Sequence, residues 1–208
     1  MENILELYRL PYDALFPLVC MDEASKQLIA EIAVPRPVCE GHPRISDYEY
    51  ERKGVCNQIL FVEPLRGWRR VFVRSRRTKV DWAECVRMVL EKDYPDAVKI
   101  RLVLDNLNTH TPASLYEAFP PEEARRLASR LELHYTPKHG SWLNMAETEI
   151  GIMNGQCLDR RIDNAEIVQS EIGAWETTRN EQNATINWRF TVADARVKLK
   201  NIYPSFEN

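Results

Sequence analysis

The feature that most constrains the fold is an apolar run that ends in an acid. The segment Leu102–His110 reads LVLDNLNTH, and apolar residues alternate through the run that leads to Asp105. Such alternation is typical of a strand with a buried face. Ligands of open α/β sheets gather outside the carboxyl ends of the strands. Asp105 is therefore a candidate functional residue on the end of a sheet strand.

A second apolar run also meets an aspartate, at Asp22. We interpret LVCMDEASKQLIAEIAV as two strands, Leu18–Met21 and Leu28–Val34, around a polar turn, which puts Asp22 at a strand end. Aspartate is also an ordinary residue for starting a turn, and this explanation stays open for each aspartate alone. Two adjacent strands would bring Asp22 and Asp105 together, so the pair indicates function more strongly than either member.

A third acid follows in TPKHGSWLNMAETEIG, where a strand leads through a turn into a helix. Glu147 and Glu149 flank the apolar stripe of that helix about equally, because each helical residue advances about 100°. Glu147 also has a structural explanation, since it could complete a capping box with Asn144. Periodicity alone leaves the choice between the two glutamates open.

The remaining pattern predicts a central mixed sheet flanked by helices. We expect a short N-terminal helix in ENILELYRL, a long surface loop at 35–54, and a hairpin of Ile59–Val62 with Arg70–Val73. A helix with an Asp81–Glu84 capping box should follow. After it we expect two short helices split at Pro120 and Pro121, and a strand in LELHYTP. Three helices follow, beginning near Asn144, at a cap on Asn164, and in TVADARVKLKNIY. This order predicts an α/β protein with one main domain.

Charge and cysteine content exclude several classes of protein. The net charge of −3 over 208 residues gives no global positive field, so any contact with DNA must be local. Five scattered cysteines without a CxxC pair argue against a disulfide framework and a zinc knuckle. Neither a signal peptide nor a run near 18 apolar residues is present. We therefore expect a cytoplasmic protein.

One stretch, RGWRRVFVRSRRTK, is locally basic and includes Trp68 among its cations. Arg69, Arg70, Arg76 and Arg77 are its candidates for holding a DNA backbone. A solvated, charged hairpin explains the same composition equally well.

Three carboxylates on separate elements suit divalent metal ions. Mg²⁺ prefers oxygen ligands and keeps positions open for water and phosphate. Two such ions about 4 Å apart can activate an attacking oxygen and stabilise a leaving one in phosphodiester displacement. The histidines lack the spacing of a zinc site.

Five segments carry a family resemblance: LVCMDEASK, LVLDNLNTHTPASLYEAF, HYTPKHGSWLNMAE, QCLDRRI and INWRFTVADARVKLK. They resemble the catalytic half of bacterial insertion-sequence transposases of the mariner superfamily, from about Pro17 to Tyr203. The resemblance implies an RNase H-like fold with a DDE triad of Asp22, Asp105 and Glu147, since the final motif of the family is Leu-Asn-x-x-Glu. Residues 1–16 would be an N-terminal extension, and 17–208 the DDE catalytic domain with C-terminal helices.

The resemblance also implies an activity and its partners. Two Mg²⁺ ions, for which Mn²⁺ can substitute, would support hydrolysis at the transposon end. The freed 3′-hydroxyl would then attack target DNA. We expect double-stranded DNA as substrate, a homodimer in the active complex, and association with the bacterial nucleoid. The residues expected to contact DNA or support the metal ligands, beyond the four arginines, are Asn106, Asn108, His110, His139, Ser141, Trp142 and Asn144. Ser141 and Trp142 could instead merely shape a turn.

The sequence departs from this family at its start. Similar transposases carry helix-turn-helix segments before the catalytic domain, whereas about 16 residues precede the first strand here. We therefore expect a separately encoded catalytic half, a truncated remnant or an engineered fragment, with recognition of the transposon end left to a separate helix-turn-helix protein. Two alternatives stay open: an inactive remnant that binds DNA or dimerises, and a stand-alone RNase H-like nuclease.

Overall fold

The computed structural model describes residues 1–33, 40–41 and 48–200. Its strands are β1 (Leu18–Glu31), β2 (Tyr50–Glu63), β3 (Trp68–Arg74), β4 (Ile100–Leu104) and β5 (Leu131–Tyr135). Its α-helices are α1 (Glu2–Leu7), α2 (Lys79–Met88), α3 (Pro112–Ala118), α4 (Pro121–Ser129), α5 (Met145–Met153), α6 (Ala165–Glu181) and α7 (Val192–Lys198). A π-helical turn extends α2 through Val89–Asp93, another extends α5 through Asn154–Leu158, and a 3₁₀ turn at Ser141–Leu143 precedes α5.

The five strands form one mixed sheet in the order β3-β2-β1-β4-β5. The β1, β2 and β3 strands are antiparallel neighbours, whereas β1, β4 and β5 are parallel. Helices cover both faces because residues of β1 alternate between two buried clusters. Cys20 packs with the cluster that includes α1, α5, α6 and α7, and Val19 and Met21 pack with the cluster of α2, α3 and α4. The predicted mixed sheet flanked by helices is confirmed.

The prediction of two strands around a turn at Asp22 was wrong. Strand β1 continues through the polar segment because β2 is equally long and pairs with it from Cys20 to Glu31. The parallel neighbour β4 pairs only with Leu18 to Cys20. Asp22 therefore lies within a strand, just beyond the point where its β4 partner ends.

The loop predicted at 35–54 is also partly wrong, because β2 begins at Tyr50. Residues 35–39 and 42–47 of that loop, and Val34 at the end of the predicted strand before it, lie outside the described residues. The hairpin is confirmed as β2 and β3, and Gly67 in its turn has a φ of 69°. A Cβ on Gly67 would lie 2.5 Å from the backbone carbonyl carbon of Asn183, so the turn needs glycine.

The cap of α2 lies one turn earlier than the Asp81–Glu84 box predicted. The Thr78 hydroxyl accepts the Asp81 N–H at 3.3 Å, and the Asp81 carboxylate accepts the Thr78 N–H at 2.8 Å. Threonine and aspartate at this spacing satisfy two backbone donors at once, so the helix begins at Lys79. The cap predicted at Asn164 is confirmed, because its side chain accepts the Ile167 N–H at 2.8 Å.

Helix α6 covers the outer edge of β3. The Asn180 side-chain amide accepts the Arg69 N–H and donates to the Arg69 carbonyl, both at 2.8 Å. One turn earlier, the Glu176 carboxylate accepts the Val71 N–H at 2.7 Å. These side chains occupy backbone groups that an edge strand would otherwise leave open.

The short helix predicted at the N-terminus is confirmed as α1, and its Ile4 and Leu5 are buried in the cluster of α5, α6 and α7. The division at residue 17 stays a prediction. None of the helices within the described ranges is long and apolar enough to cross a membrane.

Candidate active site

Asp22 projects from β1 toward the start of α5. One carboxylate oxygen accepts the Glu23 N–H at 2.8 Å, and the other lies 3.4 Å from the amide nitrogen of Asn144. Burial raises the pKa of Asp22 to about 6, and the negative charges of Asp105 and Glu147 add to this rise. The three predicted carboxylates, which we call the acidic site, are thus near enough to influence one another.

Asp105 follows the last residue of β4 and is held by a buried histidine. The Nδ1 atom of His110 lies 2.5 Å from the Asp105 carboxylate, and its Nε2 atom lies 3.0 Å from that of Glu23. Although burial alone lowers the pKa of His110, its hydrogen bonds to Asp105 and Glu23 raise it to about 9. His110 is therefore a cation at neutral pH that joins two carboxylates.

Glu23 is the residue of this site that sequence reasoning missed. Consecutive strand residues point to opposite faces, so Asp22 faces α5 while Glu23 faces the layer of α2 and α3. The side chain of Glu23 is 5% exposed and bonds His110, whose ring lies 5.9 Å from that of Trp82. Two consecutive acids, Asp22 and Glu23, would have indicated a carboxylate on each face of the sheet if the segment had been predicted as one continuous strand. The prediction of a turn after Asp22 prevented that conclusion.

The two glutamates of α5 have different surroundings. Glu147 is exposed in the first turn, and Glu149 is fully buried. Glu149 accepts from Arg179 at 2.6 Å and from Arg69 at 3.2 Å. The charge of Glu149 is therefore balanced by two arginines inside the fold, whereas Glu147 is exposed and near Asp22.

Arg69 is the centre of a buried ion-pair cluster with Glu149 and Arg179. It is 0% exposed, and its guanidinium donates to the carbonyls of Gly67, Arg179 and Ala184. Burial lowers the pKa of Arg69, and the charge of Glu149 opposes that effect. The assignment of Arg69 to a DNA-contacting surface is contradicted, because β3 packs against α6 and encloses this side chain.

The other three arginines that were predicted to contact DNA differ in exposure. Arg70 is half-buried and pairs with Asp93 at 2.5 Å and with Glu176 at 3.6 Å. Arg76 and Arg77 are exposed in the loop after β3. One nitrogen of Arg77 lies 4.0 Å from Glu23, which puts its positive charge beside the carboxylate that is linked to Asp105 through His110.

A cavity of about 500 Å³ opens next to Asp105. The lining includes three other predicted residues, Asn106, His139 and Ser141. His139 has a φ of 63°, a left-handed conformation that turns the chain from β5 toward α5. Asn108 and Trp142 are exposed, and Trp142 packs against Trp188 and Phe190.

Asn144 connects the helix start to the acidic site. Its side-chain oxygen accepts the Ala146 N–H at 3.2 Å, which caps α5, and its side-chain nitrogen donates to the Met21 carbonyl at 2.8 Å. Asn144 is confirmed as the N-cap of α5, but the capping box predicted with Glu147 was wrong, because the Asn144 side chain accepts from Ala146. The same amide thus ties α5 to β1 beside Asp22.

The donor set of the acidic site fits a hard divalent cation. Its side chains are carboxylates, the ligands that Mg²⁺ prefers, and Asp22 carries a pKa that a nearby cation would lower. Among the residues that the structure describes, no three His, Cys, Asp or Glu side chains form a ready-made metal cluster. The acidic site therefore fits Mg²⁺ through the chemistry of its carboxylate donors, and these donors do not form a closed coordination shell.

Comparisons with known proteins agree with this architecture. Residues 17–169 match the model of a family described as DDE superfamily endonuclease. The fold matches the Mos1 transposase paired-end complex with left transposon end at a TM-score of 0.57 and 14% identity, over 88% of this chain and 56% of that chain. It matches the Mos1 Strand Transfer Complex at 0.59 and 14%, over 88% and 55%, and the mariner Mos1 paired end complex with Mg at 0.54 and 15%, over 98% and 62%.

These structural matches confirm the predicted RNase H-like fold. The chain spans between 55% and 62% of the length of those three matched chains. No curated protein matches it in sequence.

Proposed function

Because the chain belongs to the DDE superfamily endonuclease family, we propose that it is the catalytic region of an insertion-sequence transposase. It cleaves DNA at transposon ends and transfers the freed strand into target DNA. The similar folds are Mos1 transposase complexes, one of them with a transposon end and one after strand transfer. The similarity of this chain's fold to the folds of these transposases supports the proposed activity.

The proposed catalytic residues are Asp22, Asp105 and Glu147. The observation that carries the proposal is the contrast on α5, where Glu149 is enclosed with Arg69 while Glu147 is exposed beside Asp22. A carboxylate has to be accessible to the ion that it binds, and of the two glutamates only Glu147 is exposed.

The same three carboxylates would hold two Mg²⁺ ions, for which Mn²⁺ can substitute. When bound, such ions activate the attacking oxygen and stabilise the leaving oxygen of a phosphodiester. A complex with Mg among the similar structures supports the choice of metal.

The chain's own residues orient these ligands. Asn144 donates to the Met21 carbonyl and lies 3.4 Å from one oxygen of Asp22, so the start of α5 limits the rotation of that carboxylate. His110 holds one oxygen of Asp105, which leaves the other oxygen for the ion. Fixed ligands lose little conformational entropy when the ion binds, so both residues support metal affinity.

Arg76 and Arg77 are proposed to hold phosphates of double-stranded DNA next to the acidic site. Contacts of this kind are salt-dependent and largely independent of sequence. We also propose that the active complex is a homodimer and that a separate helix-turn-helix protein selects the transposon end. The protein would act in the bacterial cytoplasm, on the nucleoid.

Nicking of supercoiled plasmid at low salt in Mn²⁺ tests the site. Asp105→Asn should reduce nicking by on the order of 10³-fold, because loss of a metal ligand removes several kcal/mol of transition-state stabilisation. Asp96→Asn is the matched control, since Asp96 is exposed near the opposite end of β4 and should leave nicking unchanged. Equal nicking by the wild type and Asp105→Asn would contradict the proposal.

A strand-joining assay separates a transposase from a stand-alone nuclease of the same fold. A labelled oligonucleotide with a free 3′-hydroxyl should become joined to plasmid DNA in the presence of the active chain. Cleavage without any joined product, also after addition of a DNA-recognition partner, would favour the nuclease.

A further inference from the structure

An aromatic cluster of Trp142, Trp188 and Phe190 includes a residue of the 3₁₀ turn that precedes α5 and has no part in the proposed cleavage chemistry. The ring of Trp142 lies 6.3 Å from that of Trp188 at an interplanar angle of 18°, and 5.4 Å from that of Phe190 at 80°. Trp142 nevertheless keeps 42% of its surface exposed. A large aromatic ring is therefore held in place by its neighbours and presented to solvent.

Hydrogen bonds and ring contacts on its buried side hold the aromatic cluster in place. The Trp188 indole donates to the Phe190 carbonyl at 2.8 Å, and the ring of Tyr8 lies 5.1 Å from that of Trp188. Tyr8 is buried and donates to the Leu143 carbonyl at 2.6 Å. Because its support is ordered, the exposed ring of Trp142 needs little further ordering to bind a flat ligand.

The position of Trp142 links the cluster to the site of cleavage. The preceding residue, Ser141, lines the cavity next to Asp105. Two residues after Trp142, the Asn144 amide donates to the Met21 carbonyl and lies 3.4 Å from the Asp22 carboxylate. Ser141, Trp142 and Asn144 belong to the 3₁₀ turn and helix cap that begin α5. Trp142 therefore lies in the chain between a residue that lines the cavity next to Asp105 and a residue that contacts Asp22.

Positive charges accompany the aromatic rings. Arg189 is exposed between Trp188 and Phe190, and the Lys198 ammonium lies 5.7 Å from the centre of the Phe190 ring. Lys138 is exposed on the rim of the cavity. Aromatic rings with cations beside them are the combination that binds single-stranded nucleic acid, through base stacking and phosphate contacts.

We propose that Trp142, supported by Trp188 and Phe190, stacks with an unpaired nucleobase of the DNA strand next to the cleaved phosphodiester. A base inside a duplex has both faces covered by its neighbours, so a base in the interior of the DNA has to leave the stack to use this ring. The identity of the ligand as DNA rests on the proposed function, whereas the stacking position rests on the geometry of the cluster.

Binding of tailed duplexes in Ca²⁺ tests this site without cleavage. One duplex carries a six-nucleotide single-stranded tail, and a second carries an abasic tail that keeps every phosphate and removes only the bases. Both 3′ and 5′ tails are used. The wild type should bind the normal tail about fivefold to a hundredfold more tightly than the abasic one, because stacking on an aromatic ring is worth about 1–3 kcal/mol per base.

Replacement of the ring identifies the residue. Trp142→Ala should bind both tails equally, and Trp142→Phe should keep most of the preference. Trp142→Leu keeps apolar volume without a ring and provides a second test if the alanine variant unfolds. Tyr12→Ala is the control, because Tyr12 is 52% exposed and lines a pocket with Arg101 at the opposite end of β4.

Three results would overturn the inference. They are equal binding of both tails by the wild type, an equal loss for both tails in Trp142→Ala, and no effect of Trp142→Ala on either tail, as expected of a surface for another protein. Because the comparison measures binding, a failure of nicking in Mn²⁺ would contradict the proposed function and leave this result separate.

Discussion

Two clusters of charged side chains each include a glutamate from the first turns of α5, and they differ in how the negative charge is balanced. In the ion-pair cluster, Glu149 is 0% exposed and meets the guanidinium groups of Arg69 and Arg179. In the acidic site, Asp22 lies near Asp105 and Glu147, and the buried cation His110 binds only one of these three.

Balanced charge holds the structure together, whereas an excess of one sign attracts ligands. A buried carboxylate with two arginines is satisfied and closed to solvent. Three neighbouring carboxylates repel one another, and a bound cation relieves this repulsion. The same residue type, two positions apart on one helix, thus serves packing in one case and binding in the other.

The largest effects are expected when each of the two glutamates of α5 is neutralised in turn. Glu147→Gln should lower nicking by on the order of 10³-fold, because it removes a proposed metal ligand. Its unfolding temperature should stay unchanged, since Glu147 is exposed. Glu149→Gln should instead lower the free energy of unfolding by about 3–5 kcal/mol, because it leaves Arg69 buried without its counter-charge. Plasmid nicking and thermal unfolding measure the two effects.

The matched pair makes the outcome unambiguous. The two substitutions have the same chemistry and lie on the same helix, so helix propensity cannot explain a difference between them. A stable but inactive Glu149→Gln, together with an active Glu147→Gln, would reverse the assignment of the two glutamates.

A smaller effect concerns the histidine that joins the two layers. The pKa of His110 in the folded protein, about 9, lies above its ordinary value. Its bound proton therefore contributes stability fully below pH 6.5, and this contribution is lost as the pH rises through 9. In the presence of a chelator, the free energy of unfolding should fall by about 2–3 kcal/mol between pH 6.5 and 9.5.

The double variant His110→Gln/Glu23→Gln should show a flatter profile, because it removes the histidine and its most buried partner together. The difference between the two profiles isolates this contribution from thiols that ionise near the upper end of the range. Parallel profiles of wild type and variant would mean that His110 is neutral in the folded protein.

The smallest predicted effect separates two asparagine caps. Asn164→Ala should cost about 1 kcal/mol of stability, because it removes a bond to a helix N-terminus. Asn144→Ala should cost about 1 kcal/mol more, because it removes a similar cap and also the buried bond to the Met21 carbonyl. Only Asn144→Ala should also weaken nicking and raise the Mn²⁺ concentration needed, because Asn144 supports Asp22. An equal loss of nicking in both variants would indicate a general effect of helix stability.

Much of this fold follows from local patterns. The hairpin of β2 and β3, the helices divided at Pro120, and the strand that ends before Asp105 were all predicted from apolar alternation and turn residues. These features depend on residues close together in the chain, which explains why sequence reasoning finds them. The triad itself came from the family resemblance, since periodicity could not choose between Glu147 and Glu149.

Other features depend on partners far away in the sequence. A polar run from Asp22 continues as a strand because β2 supplies a neighbour of equal length. Arg69 reads as one cation of a basic stretch, yet its partners Glu149 and Arg179 lie 80 and 110 residues further along the chain. Neither fact has a local signal, because the residues that decide it are brought close only by the fold.

The side chain of Asn180 has a consequence for the behaviour of the protein in concentrated solution. Its amide imitates one residue of a sixth strand, since it both accepts from and donates to the backbone of Arg69. Without that amide, the margin of the sheet would offer free donors and acceptors to another molecule, which is how ordered aggregates begin. An Asn180→Ala variant should therefore lose solubility at high concentration sooner than it loses its fold.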